Sequence, residues 1–216
     1  MDLQIIFLVI LGVVSAVYLV TLAFKPGLFQ FILKGCLMPL VLAVYISGGN
    51  TVLLPVVLAL VFGWIGDVML VRITSITWFR LGLASFLIGH ICYCIAMSGF
   101  ILPLHIPVLV ISLIVAAGFC VAAYKVIKPG KQMRIPVIAY EIIIMVMAVF
   151  ACQLFLAQLD AGKVMFGVLV FAGSVCFVIS DTLLALKTFR KVKIYFVVML
   201  FYIAAQFLIT LGFCSI

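Results

Sequence analysis

Two aspartates stand where an apolar chain least tolerates a charge. Asp67 lies within Phe62–Val71, Phe-Gly-Trp-Ile-Gly-Asp-Val-Met-Leu-Val, and Asp181 within Ile179–Leu186, Ile-Ser-Asp-Thr-Leu-Leu-Ala-Leu. In both, a small residue precedes the acid and a Leu-rich turn follows it. Ionisable groups inside apolar spans are costly, so each acid reads as a functional site. Two carboxylates held close together cannot both ionise cheaply. One can stay protonated as a general acid while the other stays charged, to orient water or to stabilise a cation. Glycosidases divide the labour in this way. The structural alternative is a salt bridge, Asp67 with Lys34 and Asp181 with a loop lysine.

Four further polar residues lie in apolar runs. Lys34 and Glu141 can hold a polar headgroup, or pair with each other or with an aspartate. Lys34 could instead snorkel to the nearby interface. His90 can relay protons or hydrogen-bond a substrate, or it is a bonded core residue. Gln206 shares a helix face with Tyr195, Tyr202 and Thr210 by 3–4 spacing, and these form a polar stripe. His105 follows Pro103 and reads as a surface residue. No metal or other cofactor is expected. The chain has two His, and zinc sites use three or four His, Cys or carboxylate ligands at suitable spacing. Carboxylate-bound Mg²⁺ stays open. There is no GxSxG elbow and no P-loop.

The elements that must position these groups are membrane helices. The chain is 69% hydrophobic and 8% charged, against roughly 25% charged in soluble domains. A formal charge of +8 raises the question of a nucleic-acid partner. The basic residues sit in short loops between apolar runs, so no nucleic-acid partner is expected. Seven cysteines, an odd number, all fall in apolar runs and read as small buried fillers, not a disulfide framework. Met1-Asp2-Leu3-Gln4 lacks the basic start of a signal peptide, so the first run is expected to remain as a helix.

A span needs about 20 mainly apolar residues. Eight runs qualify: 3–24, 29–47, 51–71, 78–100, 103–126, 134–157, 163–186 and 192–213. The expected fold is an all-α integral membrane bundle of eight helices, a single transmembrane domain over 1–216. Turn chemistry marks the breaks at Lys25-Pro26-Gly27, Ser47-Gly48-Gly49-Asn50 and Lys128-Pro129-Gly130. Twelve of the thirteen basic residues fall in or beside the odd-numbered connections, Lys163 being the exception. The positive-inside rule therefore sets both termini outside the cytoplasm.

Depth follows from helical rise. Asp67, Asp181, Lys34 and Glu141 each sit about 8–10 Å from the cytoplasmic end of their runs, His90 about 15 Å, and Gln206 deeper. Four charged groups from four helices thus share one level and should face the bundle interior. Gly82, Ser85 and Gly89 form a small-residue ridge for close packing. Runs three and seven share a small-Asp-x-(Met/Leu)-Leu pattern four helices apart, as a four-plus-four parallel duplication would produce.

These residues bear a family resemblance. The carriers are Lys25-Pro26; Lys34 with Met38-Pro39-Leu40; Gly66-Asp67-Val68-Met69-Leu70; Phe86 to Tyr93 around Gly89-His90; Ala139-Tyr140-Glu141; Ser180-Asp181-Thr182-Leu183-Leu184-Ala185; and Tyr202-Ile203-Ala204-Ala205-Gln206. In order and spacing the chain resembles the YhhN family of eight-helix membrane proteins, which includes the lysoplasmalogenases. The resemblance implies hydrolysis of the vinyl ether bond of a lysoplasmalogen, giving a fatty aldehyde and glycerophosphocholine or glycerophosphoethanolamine. Asp67 and Asp181 would be the acid–base pair. His90 and Glu141 would support them or relay protons. Lys34, Tyr140, Tyr202 and Gln206 would bind substrate. The expected partners are the lysophospholipid substrate and the surrounding membrane lipids, in the inner membrane if the source is bacterial. The rival readings are a transporter of a small solute or lipid, and a scaffold whose aspartates only lock helices together.

Overall fold

A computed structural model describes residues 2–24, 27–48, 51–71 and 75–216. Lys25, Pro26, Gly49, Asn50 and Arg72, which the turn and loop expectations invoked, lie outside the described residues. The described chain is helical: α1 Asp2–Thr21, α2 Leu28–Gly48, α3 Leu54–Val71, α4 Ile76–Ser98, α5 Ile106–Ile127, α6 Arg134–Asp160, α7 Val164–Arg190 and α8 Tyr195–Cys214, with one 3₁₀ turn at Lys131–Met133. Seven of these helices are long and apolar enough to cross a membrane, and α3 is a shorter apolar helix. The protein is a multi-pass helical membrane protein.

Several helix ends depart from the apolar runs, each for a local reason. Helix α3 begins at Leu54, not Thr51. Pro55, which has no N–H to leave orphaned, sits in its first turn. The Leu53 N–H just before it is satisfied by the Tyr45 hydroxyl at 2.8 Å. Helix α4 begins two residues before Trp78, because the Ser75 side chain caps it by accepting from the Trp78 N–H. Helix α5 begins at Ile106, past Pro103, with Pro107 in its first turn.

Helix α7 runs a full turn beyond Leu186 and ends where Lys191 turns left-handed at φ 57°. Lys187 and Arg190 lie in that last turn, where cations suit the helix dipole. Phe189 packs edge-on against Phe79 of α4 at 6.1 Å, which keeps the extra turn folded. Lys187 is thus a helix residue, not a loop cation. Asp181 lies about 14 Å from the end of its helix, deeper than the run boundary implied.

The helices close into a ring. Helix α2 packs on α3, α3 on α4, α4 on α6, α6 on α7, α7 on α8, and α8 returns to α2. Helix α1 lies outside against α2 and α8, and α5 lies outside against α6 and α7. Advancing every label by four maps each ring contact, and the α1–α2 contact, onto another observed contact. Only the outer flanks, α1–α8 and α5–α7, lack this correspondence.

Close approach within the ring comes from small residues. A Cβ on Gly82 would lie 2.8 Å from Leu70, and one on Gly89 would lie 3.2 Å from the Ala59 carbonyl. Between them Ser85 donates to the Phe62 carbonyl at 2.6 Å. The expected ridge is therefore the seam between α4 and α3. Gly173 makes the matching seam between α7 and α8, where a Cβ would stand 2.9 Å from the Ala205 carbonyl.

Candidate functional site

Helix α2 carries Pro39 in its interior. Proline has no N–H, so the carbonyl four residues back, on Gly35, loses its helical partner. In a membrane such a freed group must be satisfied by a neighbouring helix. The Trp64 indole of α3 supplies that bond at 2.9 Å. It joins α2 to α3 beside Lys34, whose Nζ lies 3.1 Å from Asp67 Oδ1. The other oxygen of Asp67 accepts from the Tyr202 hydroxyl of α8 at 2.6 Å. Asp67 is only 3% exposed, and both its oxygens are occupied. The structural alternative raised for Asp67, a salt bridge to Lys34, is therefore present.

Asp181 is held from the other half of the ring. The Tyr140 hydroxyl of α6 donates to Asp181 Oδ2. The same hydroxyl lies 3.1 Å from His90 Nε2 of α4, which is itself 3.6 Å from Asp181 Oδ2. With its proton on Nε2, His90 donates to Tyr140 and Tyr140 donates to Asp181. No loop lysine reaches Asp181 among the described residues; its partners are a tyrosine and a histidine.

The two half-sites have the same plan. Asp67 of α3 is gripped from α2 and α8, and Asp181 of α7 from α6 and α4. Between them stands Phe177, one turn before Asp181, edge-on to His90 at 4.9 Å and to Tyr202 at 5.8 Å. One turn deeper, Tyr93 of α4 donates to Gln206 Oε1 of α8 at 2.8 Å. That bond joins the two helices that carry His90 and Tyr202.

Both acids line one pocket. Lys34, Tyr140, Glu141 and Tyr202 share its wall with them. The sequence placed Asp67, Asp181, Lys34 and Glu141 on four different helices, and the fold brings them to one cavity. Glu141 lies in the wall with Oε2 buried and without a hydrogen-bond partner among the described residues. Lys187 also faces the pocket, its ammonium 3.8 Å from the centre of the Tyr195 ring, a cation–π distance. Among the described residues no three His, Cys, Asp or Glu side chains are grouped to hold a metal ion.

Each acid is engaged by its own partners, and no hydrogen bond joins the two among the described residues. The Tyr140 hydroxyl, expected to meet a headgroup, is occupied between His90 and Asp181. Gln206 and His90 are not on the pocket wall; they form the layer behind it. Thr210, the last member of the α8 stripe, is buried without a hydrogen-bond partner among the described residues. His105 pairs at the opposite end of the bundle with Asp160, at 2.9 Å. Tyr93 and Phe177 were missed. Their signal was positional, since Tyr93 lies one turn before Met97 and after Gly89, and Phe177 one turn before an acid, in otherwise apolar surroundings.

Ring and pocket together define a multi-pass membrane protein in which a buried and a partly buried carboxylate line one cavity. The chain belongs to the YhhN family, whose model matches residues 28–213. That span contains both acids and all their partners. No curated protein and no solved structure matches the chain.

Proposed function

We propose that this protein hydrolyses the vinyl ether bond of a lysoplasmalogen, with Asp181 as proton donor and Asp67 as the fixed negative charge. The observation that carries the reading is that the two acids share one cavity but have unlike partners. Asp67 faces a lysine. Asp181 ends a tyrosine–histidine chain.

Vinyl ether cleavage starts with a proton added to the carbon β to oxygen, which leaves an oxocarbenium ion. Water adds to the cationic carbon and loses a proton. The hemiacetal then collapses to an aldehyde and a glycerol hydroxyl. The net change is one water consumed. Asp181 gives the first proton and is refilled through Tyr140 from His90, which regains a proton from the one that the attacking water releases. Asp67, kept charged by Lys34, stabilises the cation and orients the water. Fixed groups of this kind act where charge develops, in a site that excludes bulk water. Glu141 and Lys187 face the cavity as an acid and a base able to meet a zwitterionic headgroup.

The reading extends to topology. The basic loops set both termini outside the cytoplasm, and the helix correspondence supports a four-plus-four duplication that placed one acid in each half. A second reading, the structural lock, is favoured by the Lys34–Asp67–Tyr202 tie across three helices. Aldehyde release from purified protein given lysoplasmalogen, with an ester lysolipid as control, tests the first. Asp67→Asn and Asp181→Asn should each abolish release while the protein still assembles. Full turnover in either variant overturns the mechanism. Loss of assembly in Asp67→Asn together with an inactive wild type favours the lock.

A further inference from the structure

The Lys34–Asp67 pair has a second face. Outside it, between α2 and α3, lies another recess with about 1050 Å³ of empty space including its opening. Phe31, Gly35, Trp64, Val68 and Trp78 form its sides, and Lys34 and Asp67 its floor. Phe31, Trp64, Val68 and Trp78 are all exposed on the helix surface, which on a membrane-spanning bundle is the surface turned to lipid. Lys34 and Asp67 also line the central pocket. The ion pair is therefore the partition between a lipid-facing groove and the buried cavity. Nothing lies within 4 Å of where a Cβ on Gly35 would stand, so the groove is open at that point.

On the hydrolase reading, we infer that this groove takes the alkyl chain of a single-chain ether lysolipid directly from the bilayer. The vinyl ether joins the chain to the glycerol. A chain in the groove and a headgroup in the cavity therefore bring that bond to the partition, beside Asp67. Lipid tails are as apolar as the groove walls, so the chain gains little by moving into it. Selective occupancy rests on the polar groups behind the partition. A third recess, between α5 and α6, shares Val137 and Glu141 with the cavity but contains neither aspartate. It provides a control.

The chain has two tryptophans, and both line the groove, so intrinsic fluorescence reports its occupancy. The probe is a non-cleavable alkyl-ether lysolipid brominated in mid-chain, titrated into phosphatidylcholine nanodiscs holding the protein. A brominated diacyl lipid at equal bromine content measures contact with bulk lipid. Saturable quenching above the diacyl control is expected. It should be lost in Gly35→Phe and in Val68→Phe, which fill the groove from opposite helices. It should persist in Val121→Phe, which fills the third recess. Quenching no greater than the diacyl control, or an unchanged saturable curve in both groove variants, overturns the inference. The readout needs no cleavage. Saturable binding without aldehyde release keeps the groove and removes the hydrolase reading. Aldehyde release without saturable quenching does the reverse.

Discussion

The hydroxyl of Tyr202 on α8 meets Oδ2 of Asp67 on α3 at 2.6 Å, so the acid depends on a residue 135 positions along the chain. A hydrogen bond to a charged group contributes about 1.5–3 kcal/mol. Tyr202→Phe is expected to lower stability by that order and to leave folding intact, since Lys34 still pairs with Asp67. Thermal melting in detergent measures the loss, and aldehyde release should fall in the same variant.

Lys34→Met should be worse. It leaves Asp67 buried without its cation, and breaking a buried ion pair from one side costs about 3–5 kcal/mol. Adding Asp67→Asn removes the stranded charge and should restore most of that loss. Turnover should stay absent in both variants. A double-mutant cycle on melting and activity separates the structural share of the pair from the chemical one. Equal stability of the single and double variants would contradict the ion pair.

Tyr140→Phe breaks the path from His90 to Asp181 and leaves both end groups in place. A positioned proton donor contributes about 10²–10⁴-fold to rate. A fall toward that range is expected, with unchanged binding of a non-cleavable ether lysolipid. His90→Gln, which keeps a donor near Tyr140 but cannot relay a proton, should fall with it. Activity within a factor of two of wild type in both would remove the relay.

Packing at the α7–α8 seam gives a prediction independent of chemistry. Gly173→Ala forces a Cβ to within 2.9 Å of the Ala205 carbonyl and 2.6 Å of Ile209. Overpacking of this kind costs about 1–3 kcal/mol. Gly118→Ala, where nothing lies within 4 Å, should be neutral or stabilising by up to about 1 kcal/mol, because alanine favours the helix. Melting temperatures of the two variants should therefore move in opposite directions, or only the first should move.

Much of the architecture could be read from local pattern. Long apolar runs separated by basic turns announce membrane helices, because the bilayer admits only segments that satisfy their own backbone. The ridge of Gly82, Ser85 and Gly89 was visible as spacing. Its partner was not, since spacing names a face and says nothing of what the face meets. Met38-Pro39-Leu40 was visible as a motif. Its consequence, a Gly35 carbonyl taken up by Trp64, needed the neighbouring helix. Helix ends were read least well. The extra turn of α7 is held by Phe189 against Phe79, a contact that no window of local hydrophobicity contains.

The sequence alone determined that Asp67 and Asp181 sit inside apolar helices, because hydropathy is a property of consecutive residues. Only the tertiary structure decided that Asp67 goes to Lys34 and Tyr202, and Asp181 to Tyr140 and His90. Hydrogen bonds and ion pairs form over about 3 Å, and which groups come that close depends on how six helices close a ring.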